Sequence, residues 1–390
     1  MSPAVSRANT RRVCAAVALL AVLIVFSWTV LRIHYACDGN WTAVFYTGTT
    51  FRVPPDLNVG TYRFEGTGYD GQFYRYLAHD PFLEKGYFRY VDAPQLRFRR
   101  LLVPLAAWLI GFGRQPWIDG AYVGVEMLFL ALGGYWSARL LARRGRSPLW
   151  GLAFLVVPAT LASFDRMLVD GPLTALFAGY ILYCEEQRWN RVWLVAMLAA
   201  LTRDTGLLFI AALVTDRLLH HDWRRAAWFA SGAMPTLAWY VYVATHLPPD
   251  GPVSVLAVPG WGLLWRLLLF RTYPDPRVQL LLRVTDFLAV VGLATSIGLV
   301  MCWLTKYRAE PVTLCVGFFA VLALVLGAPA HMLDPFGFGR PVSPLLLWLM
   351  IEAVSRKAWS ALAAPLLLSL SVSLAFGNSI AAVMKGILGR

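Results

Sequence analysis

The sequence is poor in charged residues. Asp, Glu, Lys and Arg make up 15% of its 390 residues, whereas hydrophobic residues make up 58% and the mean hydropathy is +0.57. Soluble globular domains carry about 25% charged residues, so the composition excludes that class. Most of the chain is therefore expected to lie in lipid.

The sequence also lacks the motifs of metal, redox and nucleotide chemistry. It has five cysteines, with no CxxC and no cluster of His and Cys, and four of the five lie in or beside apolar runs: Cys14, Cys184, Cys302 and Cys315. This pattern predicts neither a disulfide framework nor a zinc site. No P-loop or Rossmann glycine pattern occurs, which argues against an ATP-driven pump.

The apolar runs show no alternation of apolar and polar residues, which excludes a transmembrane β-barrel. Several runs, such as 14–31, 117–141 and 226–244, approach the roughly 20 residues that a helix needs to cross about 30 Å of hydrocarbon. Helices satisfy their own backbone hydrogen bonds in lipid. The sequence thus predicts an all-α, polytopic transmembrane helical bundle, with residues 1–390 forming a single integral membrane domain.

The formal net charge of +13 comes from arginines concentrated between the apolar runs. This is the distribution of the positive-inside rule, so no nucleic-acid partner is expected. Because Arg7, Arg11 and Arg12 precede the first run, the N-terminus is predicted to be cytoplasmic, and that run to be an uncleaved signal anchor.

Two polar segments then fall on the outer side: a first outer loop, 34–100, and a second, 246–283. We expect about nine spans. Two partial insertions add to them, an interfacial stretch at 101–113 that is too short to span and a re-entrant hairpin over 192–214 with Arg203 near its tip. The remaining predicted crossings include 150–161, 173–183, 287–304, 312–326, 341–354 and 358–376.

The most informative stretch lies in the first outer loop, at 68–81. Its periodicity predicts an amphipathic helix on the membrane surface, entered at Asp70. Its side chains fall on two faces of that helix. One face carries Tyr69, Phe73 and Tyr76, and the other carries Gln72, Arg75 and His79. From the residues alone, Asp70 fits a helix N-cap best, and it also fits a general base at the water–lipid boundary. The two roles are compatible.

The segment Tyr69-Asp70-Gly71-Gln72-Phe73-Tyr74, with the later Asp80-Pro81 and the stretch 100–108, resembles bacterial GT-C superfamily glycosyltransferases. More distantly, it resembles the GPI mannosyltransferases and other enzymes that use polyprenyl-phosphate sugars. Weaker similarity continues at 165–170, at 201–207 and at Gly339-Arg340-Pro341. The resemblance covers roughly residues 38–215 and fades afterwards.

This resemblance implies a GT-C-like fold whose catalytic Asp lies in the first outer loop and acts as the general base. Asp38 competes with Asp70 for that role, because many members place the Asp soon after the first helix. The implied donor is a polyprenyl-phosphate-linked sugar, and the acceptor a glycan or lipid of the cell envelope, at the outer face of a bacterial inner membrane. Candidate substrate-binding residues are Tyr69, Gln72, Tyr74, Arg100, Asp165, Arg166, Asp170, Arg203, Asp204 and Arg340.

Structural interpretations compete at several of these positions. Arg97, Arg99 and Arg100 are more typical of snorkelling anchors beside a helix. The acidic and basic residues at 165–170 resemble a solvated loop. Arg203 differs, because a charge inside an apolar run is costly and usually faces a partner or a cavity.

His331, Asp334 and Arg340 rank below Arg203 as possible contacts of the substrates. The sequence lacks the paired acidic motif of nucleotide-sugar enzymes, and no cofactor is predicted. Carboxylates alone could hold a magnesium ion, but no motif supports one.

Two other functions remain open. A transporter or flippase of lipid-linked glycans would also use intramembrane charges, although concentration of polar residues in one loop disfavours it. A non-catalytic membrane subunit would use the stretch around Asp70 only as an interface. Substituting Asp70→Asn separates the subunit from the enzyme, because only an enzyme would lose activity.

Overall fold

The computed structural model describes residues 3–251, 256–268, 276–306, 310–327, 337, 339–374 and 376–389. In these ranges the chain is 76% helical and contains no strand. The prediction of an all-α fold is therefore confirmed.

The described residues 3–219 form ten α-helices. They are α1 (Pro3–Ala36), α2 (Pro55–Asn58), α3 (Gly71–His79), α4 (Pro94–Phe98), α5 (Leu102–Ile110), α6 (Gln115–Arg143), α7 (Pro158–Arg166), α8 (Asp170–Glu185), α9 (Trp189–Thr202) and α10 (Leu207–Leu219). Short 3₁₀ helices separate some of them, among them Pro148–Val156 and Asp204–Gly206.

The described part of the second half adds eight more. They are α11 (Trp223–Ser231), α12 (Met234–His246), α13 (Trp261–Leu268), α14 (Pro276–Leu304), α15 (Pro311–Val325), α16 (Ser343–Arg356), α17 (Ala363–Leu374) and α18 (Gly377–Ile387).

Three helices in the described ranges are long and apolar enough to cross a membrane: α1 over Asn9–Ala36, α6, and α14 over Gln279–Leu304. The number rises to five if two bent helix pairs each count as one span. The predicted nine spans are not confirmed. Many of the other helices are too short, because an α-helix rises only about 1.5 Å per residue.

The bent pairs explain part of this difference. The predicted crossing at 150–161 is a 3₁₀ helix, Pro148–Val156, followed by α7 at an angle of 66°. The crossing predicted at 226–244 is likewise divided into α11 and α12, with Pro235 in the first turn of α12. Proline favours helix starts and disfavours helix interiors, so a continuous apolar run need not be one helix.

The range predicted to form the second outer loop, 246–283, is partly helical. It contains α13, and α14 begins at Pro276. Pro276 occupies the first helical position, where a missing N–H costs nothing.

Helix α8 lies at the centre of the bundle. Its residues from Asp170 to Leu182 are all buried. Phe177 stacks against Tyr180, and its ring also contacts Phe209 of α10 and Phe319 of α15. This aromatic core fixes α8, and with it the position of Asp170 at the start of that helix.

The amphipathic pattern of α3 predicted a helix on the membrane surface, and this prediction is wrong. Every residue of α3 is buried. Its Phe73 and Tyr76 pack in an apolar cluster with Tyr87, while its Arg75 makes a two-pronged ion pair with Asp119 of α6. Both faces are covered because the polar face has found partners inside the protein.

Candidate functional site

The candidate site begins at the start of α3. Asp70 holds the N-cap position, but its side chain makes no capping hydrogen bond, so that interpretation of the side chain is wrong. A Cβ atom on Gly71 would lie 2.0 Å from the carbonyl oxygen of Arg166 and 3.0 Å from that of Phe45. Glycine is therefore required for the close approach between the 69–74 segment and the 165–170 segment.

The Asp70 carboxylate faces two arginines from distant segments. Its Oδ2 lies 2.9 Å from Nη1 of Arg97, at the end of α4, and 3.4 Å from Nη2 of Arg340, just before α16. Burial raises the pKa of this carboxyl, but Arg97, Arg340 and Arg100 outweigh it and hold that pKa well below its usual range. The group is a carboxylate at neutral pH.

A second carboxylate, Asp170, lies on the other side of Arg340. Nη1 of Arg340 is 3.3 Å from Oδ2 of Asp170, and Arg203 forms an ion pair with Oδ1. The Asp170 side chain is only 1% exposed, against 18% for Asp70. Arg340 therefore bridges the two aspartates, one fully buried and one at the opening of the cluster.

The break between α9 and α10 contributes a further charged pair of residues, Arg203 and Asp204. Arg203 and Asp204 do not pair with each other. Asp204 lies 3.8 Å from Nε of Arg100 and accepts a 2.8 Å hydrogen bond from the hydroxyl of Tyr240. Arg100 also donates to the hydroxyl of Tyr74.

A separate set of contacts holds the aromatic edge of the cluster. The ring of Tyr69 lies 4.6 Å from the guanidinium carbon of Arg166 and 4.9 Å from that of Arg340. Asp165 pairs with Arg166 at 3.6 Å and with Arg32 of α1 at 3.4 Å. The solvated loop proposed for 165–170 is thus wrong, since these side chains are buried.

Two candidates lie apart from this outer cluster, which we define as Asp70, Asp170, Asp204, Arg97, Arg100, Arg203 and Arg340. The Gln72 amide donates to the carbonyl of Thr67 at 2.9 Å and accepts from the N–H of Gly48 at 3.2 Å, so it joins two loop segments. Asp38 is exposed in a left-handed turn (φ 52°) after α1. Neither makes a described hydrogen bond or ion pair with the cluster.

Sequence reasoning missed three contributors. Arg97 was interpreted as an anchor, yet its side chain is 12% exposed and binds Asp70 and Asp92. Arg32 lies at the end of the first predicted span, where a basic residue is common, and Tyr240 lies inside an apolar run, so neither position indicated a functional role. Arg100 is also buried rather than anchored in the interface. His331 and Asp334 lie outside the described residues.

The outer cluster places four guanidinium groups around three carboxylates. Guanidinium groups donate hydrogen bonds in a planar fork that matches phosphate oxygens, so these arginines suit a phosphate-bearing ligand, although Arg97 also pairs with Asp92. Within the described ranges, no group of three His, Cys, Asp or Glu side chains could hold a metal ion.

Comparison with protein-family models, curated proteins and solved structures gave no match to this chain. The similarity to GT-C glycosyltransferases therefore rests on the sequence segments described above and stays a prediction. Two of those segments, at 69–74 and 165–170, are in contact in the structure, and Arg340 of a third joins them.

Proposed function

We propose that this chain is a membrane glycosyltransferase that moves a sugar from a polyprenyl-phosphate donor to a glycan or lipid acceptor. The observation that carries the proposal is the bridge of Arg340 between Asp70 and Asp170, with Arg97 and Arg203 on either side. It combines an available carboxylate with phosphate-binding cations, the two components that such a transfer needs.

The arginines would act on the donor. When the bond between the anomeric carbon and the phosphate oxygen breaks, negative charge develops on the leaving lipid phosphate. Preorganised cations stabilise such charge without reorganisation, and each strong donor typically contributes about 10²–10³ in rate. Arg97 and Arg340 are the best candidates, because they border the partly exposed Asp70.

Asp70 would act on the acceptor. Its carboxylate takes the proton of the acceptor hydroxyl as that oxygen forms the new bond to the anomeric carbon and the lipid phosphate departs. A positioned base of this kind contributes roughly 10²–10⁴ in rate. The partial exposure of Asp70 suits this role better than the full burial of Asp170.

A carboxylate held by arginines is a weak base, because its pKa lies well below its usual range. A donor phosphate that binds Arg97 and Arg340 would compete with Asp70 for the same N–H donors. Partial loss of these contacts raises the proton affinity of Asp70. Donor binding would thus prepare the base, and we place this chemistry at the outer face of a bacterial inner membrane.

The direct test is transfer by the purified full-length protein in liposomes, with a panel of radiolabelled polyprenyl-phosphate sugars and a membrane extract as acceptor. Nucleotide sugars with the same sugar residues are the matched donors. We expect transfer from a lipid phosphate, with release of polyprenyl phosphate, and none from a nucleotide sugar.

Transfer that requires the nucleotide sugar would contradict the proposal. Movement of an intact lipid-linked glycan across the liposome membrane, with no new glycosidic bond, would establish the transporter instead. Transfer is read by separating the labelled products, and movement across the membrane by the share of labelled lipid-linked glycan that a membrane-impermeant reagent can reach.

A further inference from the structure

A second arginine-rich site lies at the opposite end of the bundle. A cavity of about 570 Å³ opens between the start of α1, the end of α6 and the turn from α8 to α9. Its lining residues are Thr10, Arg11, Cys14, Arg139, Ala142, Arg143, Glu185, Glu186, Gln187 and Arg188. Ligand sites commonly occupy about 300–1,000 Å³, so this volume suits a small molecule or a headgroup.

Three of the arginines converge on one carboxylate. Oε1 of Glu186 lies 2.5 Å from Arg139 and 3.5 Å from Arg143, while Oε2 lies 3.1 Å from Arg188. The Glu186 side chain is 4% exposed. One carboxylate offers about four acceptor positions, whereas three guanidinium groups carry about fifteen N–H donors. The donors that Glu186 does not use are open to water or to another anion.

The other glutamate does not remove this excess. Glu185 is 2.5 Å from Arg144, which also pairs with Glu352 at 2.6 Å. Arg144 is not among the residues that line the cavity. The lining has four arginines and two glutamates, so its net charge is positive.

The apolar surroundings indicate where such an anion would come from. Cys14, in the wall of the cavity, is followed along α1 by exposed apolar side chains, among them Leu19, Leu20, Leu23 and Ile24. This helix is one of those long and apolar enough to cross a membrane. These side chains lie largely on the side of α1 away from Cys14, so acyl chains packed on them would bring a lipid headgroup to the same end of α1 as the arginines.

We propose that this cavity binds the phosphate of an anionic phospholipid headgroup, at the face that the arginine distribution predicts to be cytoplasmic. Basic pockets between membrane helices on this side are suited to such headgroups. The site is separate from the outer cluster and shares no residue with it. The inference does not depend on the proposed transfer reaction.

The test compares phosphatidylglycerol with phosphatidylcholine of the same acyl chains, added to the delipidated full-length protein in detergent. Native mass spectrometry counts the bound lipid, and thermal unfolding gives an independent readout. The test variant is Arg143→Gln with Arg188→Gln, whose side chains are 45% and 44% exposed and should tolerate substitution. The control is Arg224→Gln with Arg225→Gln, which removes the same charge from exposed positions in α11.

We expect wild type to retain phosphatidylglycerol over phosphatidylcholine and to unfold at a higher temperature with it. The test variant should bind about tenfold less, since each charge-assisted hydrogen bond lost costs a large part of a tenfold change in affinity. The control variant should bind as wild type does.

Three results would overturn the inference. Equal retention of both lipids would show that no anionic headgroup is recognised. Equal loss in test and control variants would indicate diffuse attraction to a basic surface. Displacement of the lipid by millimolar inorganic phosphate, with the same unfolding shift, would identify the ligand as a soluble phosphate.

Discussion

Arg340 contacts two carboxylates, and this makes it the residue on which the outer cluster depends. The chain positions 70, 170, 203 and 340 meet there, although they are far apart in sequence. The sequence suggested Asp70, Asp170 and Arg340 through the resemblance to GT-C glycosyltransferases, and Arg203 because a charge inside an apolar run needs a partner. It could not pair them, and it missed Arg97, since a basic residue beside an apolar helix is ordinarily an anchor.

Substituting Asp170→Asn tests the buried half of the cluster. It leaves Arg203 without its carboxylate in a site where the Asp170 side chain is 1% exposed. Breaking a buried ion pair costs about 3–5 kcal/mol, so the unfolding midpoint should fall by several degrees. Thermal unfolding in detergent measures this directly.

The matched control for Asp170→Asn is Asp38→Asn, the same change at an exposed position. Surface substitutions usually stay within about 0.5 kcal/mol of wild type. An Asp170→Asn protein as stable as the Asp38→Asn protein would contradict the assigned ion pairs.

At the scale of elements, two glycines allow helices to approach closely. Gly71 lets the start of α3 lie against the backbone of Arg166. Gly206, just before α10, lies so close to α9 that a Cβ atom added to it would be 1.9 Å from the carbonyl oxygen of Ala199. The sequence predicted a break in the run 192–214 near Arg203, and the structure has one there. It did not predict that α3 would be buried, because amphipathic periodicity does not reveal whether the polar face has internal partners.

Substituting Gly71→Ala should displace α3 and with it Asp70. The new Cβ would lie 2.0 Å from a backbone oxygen, which cannot move aside as a flexible side chain can. Overpacking typically costs about 1–3 kcal/mol, and the shift would also separate Asp70 from Arg97. We expect a lower unfolding midpoint and loss of sugar transfer.

Gly120→Ala is the control, because nothing lies within 4 Å of a Cβ at that position of α6. An alanine in an exposed helix is favoured over glycine by about 1 kcal/mol, so this variant should equal or exceed wild type in stability. If both alanine variants behave alike, the contact between α3 and the 165–170 segment is not what positions Asp70.

At the scale of the whole molecule, composition was a sound guide to class and a poor one to span number. Low charge and high hydropathy predicted a helical membrane protein, and the described chain is all-α with three to five candidate spans. The nine predicted spans are not confirmed, because proline positions and helix bends divide several apolar runs into short helices. The prediction that the outer cluster faces outward and the cavity faces the cytoplasm follows only from the distribution of arginines.

Cysteine labelling tests that orientation. In a Cys302→Ser background, which removes the one exposed cysteine among the five, we would introduce Asn58→Cys in the first outer loop or Arg224→Cys in α11. A membrane-impermeant maleimide should label Asn58→Cys in intact cells, and Arg224→Cys only after permeabilisation. Labelling of Arg224→Cys in intact cells would reverse the topology.

The role of Asp70 as the base of a sugar-transfer reaction is tested by the initial rate of transfer by Asp70→Asn beside Asp38→Asn. Both proteins would be assayed in liposomes with the donor that wild type uses, after size-exclusion chromatography confirms that each is folded. Asn keeps the shape of the side chain but cannot take a proton at neutral pH.

We expect Asp70→Asn to lower the rate of transfer about 10²–10⁴-fold, which is the usual contribution of a positioned base. Asp38→Asn should keep nearly full activity. Loss confined to Asp38→Asn would move the base to that residue. Full activity of a folded Asp70→Asn protein would contradict the mechanism.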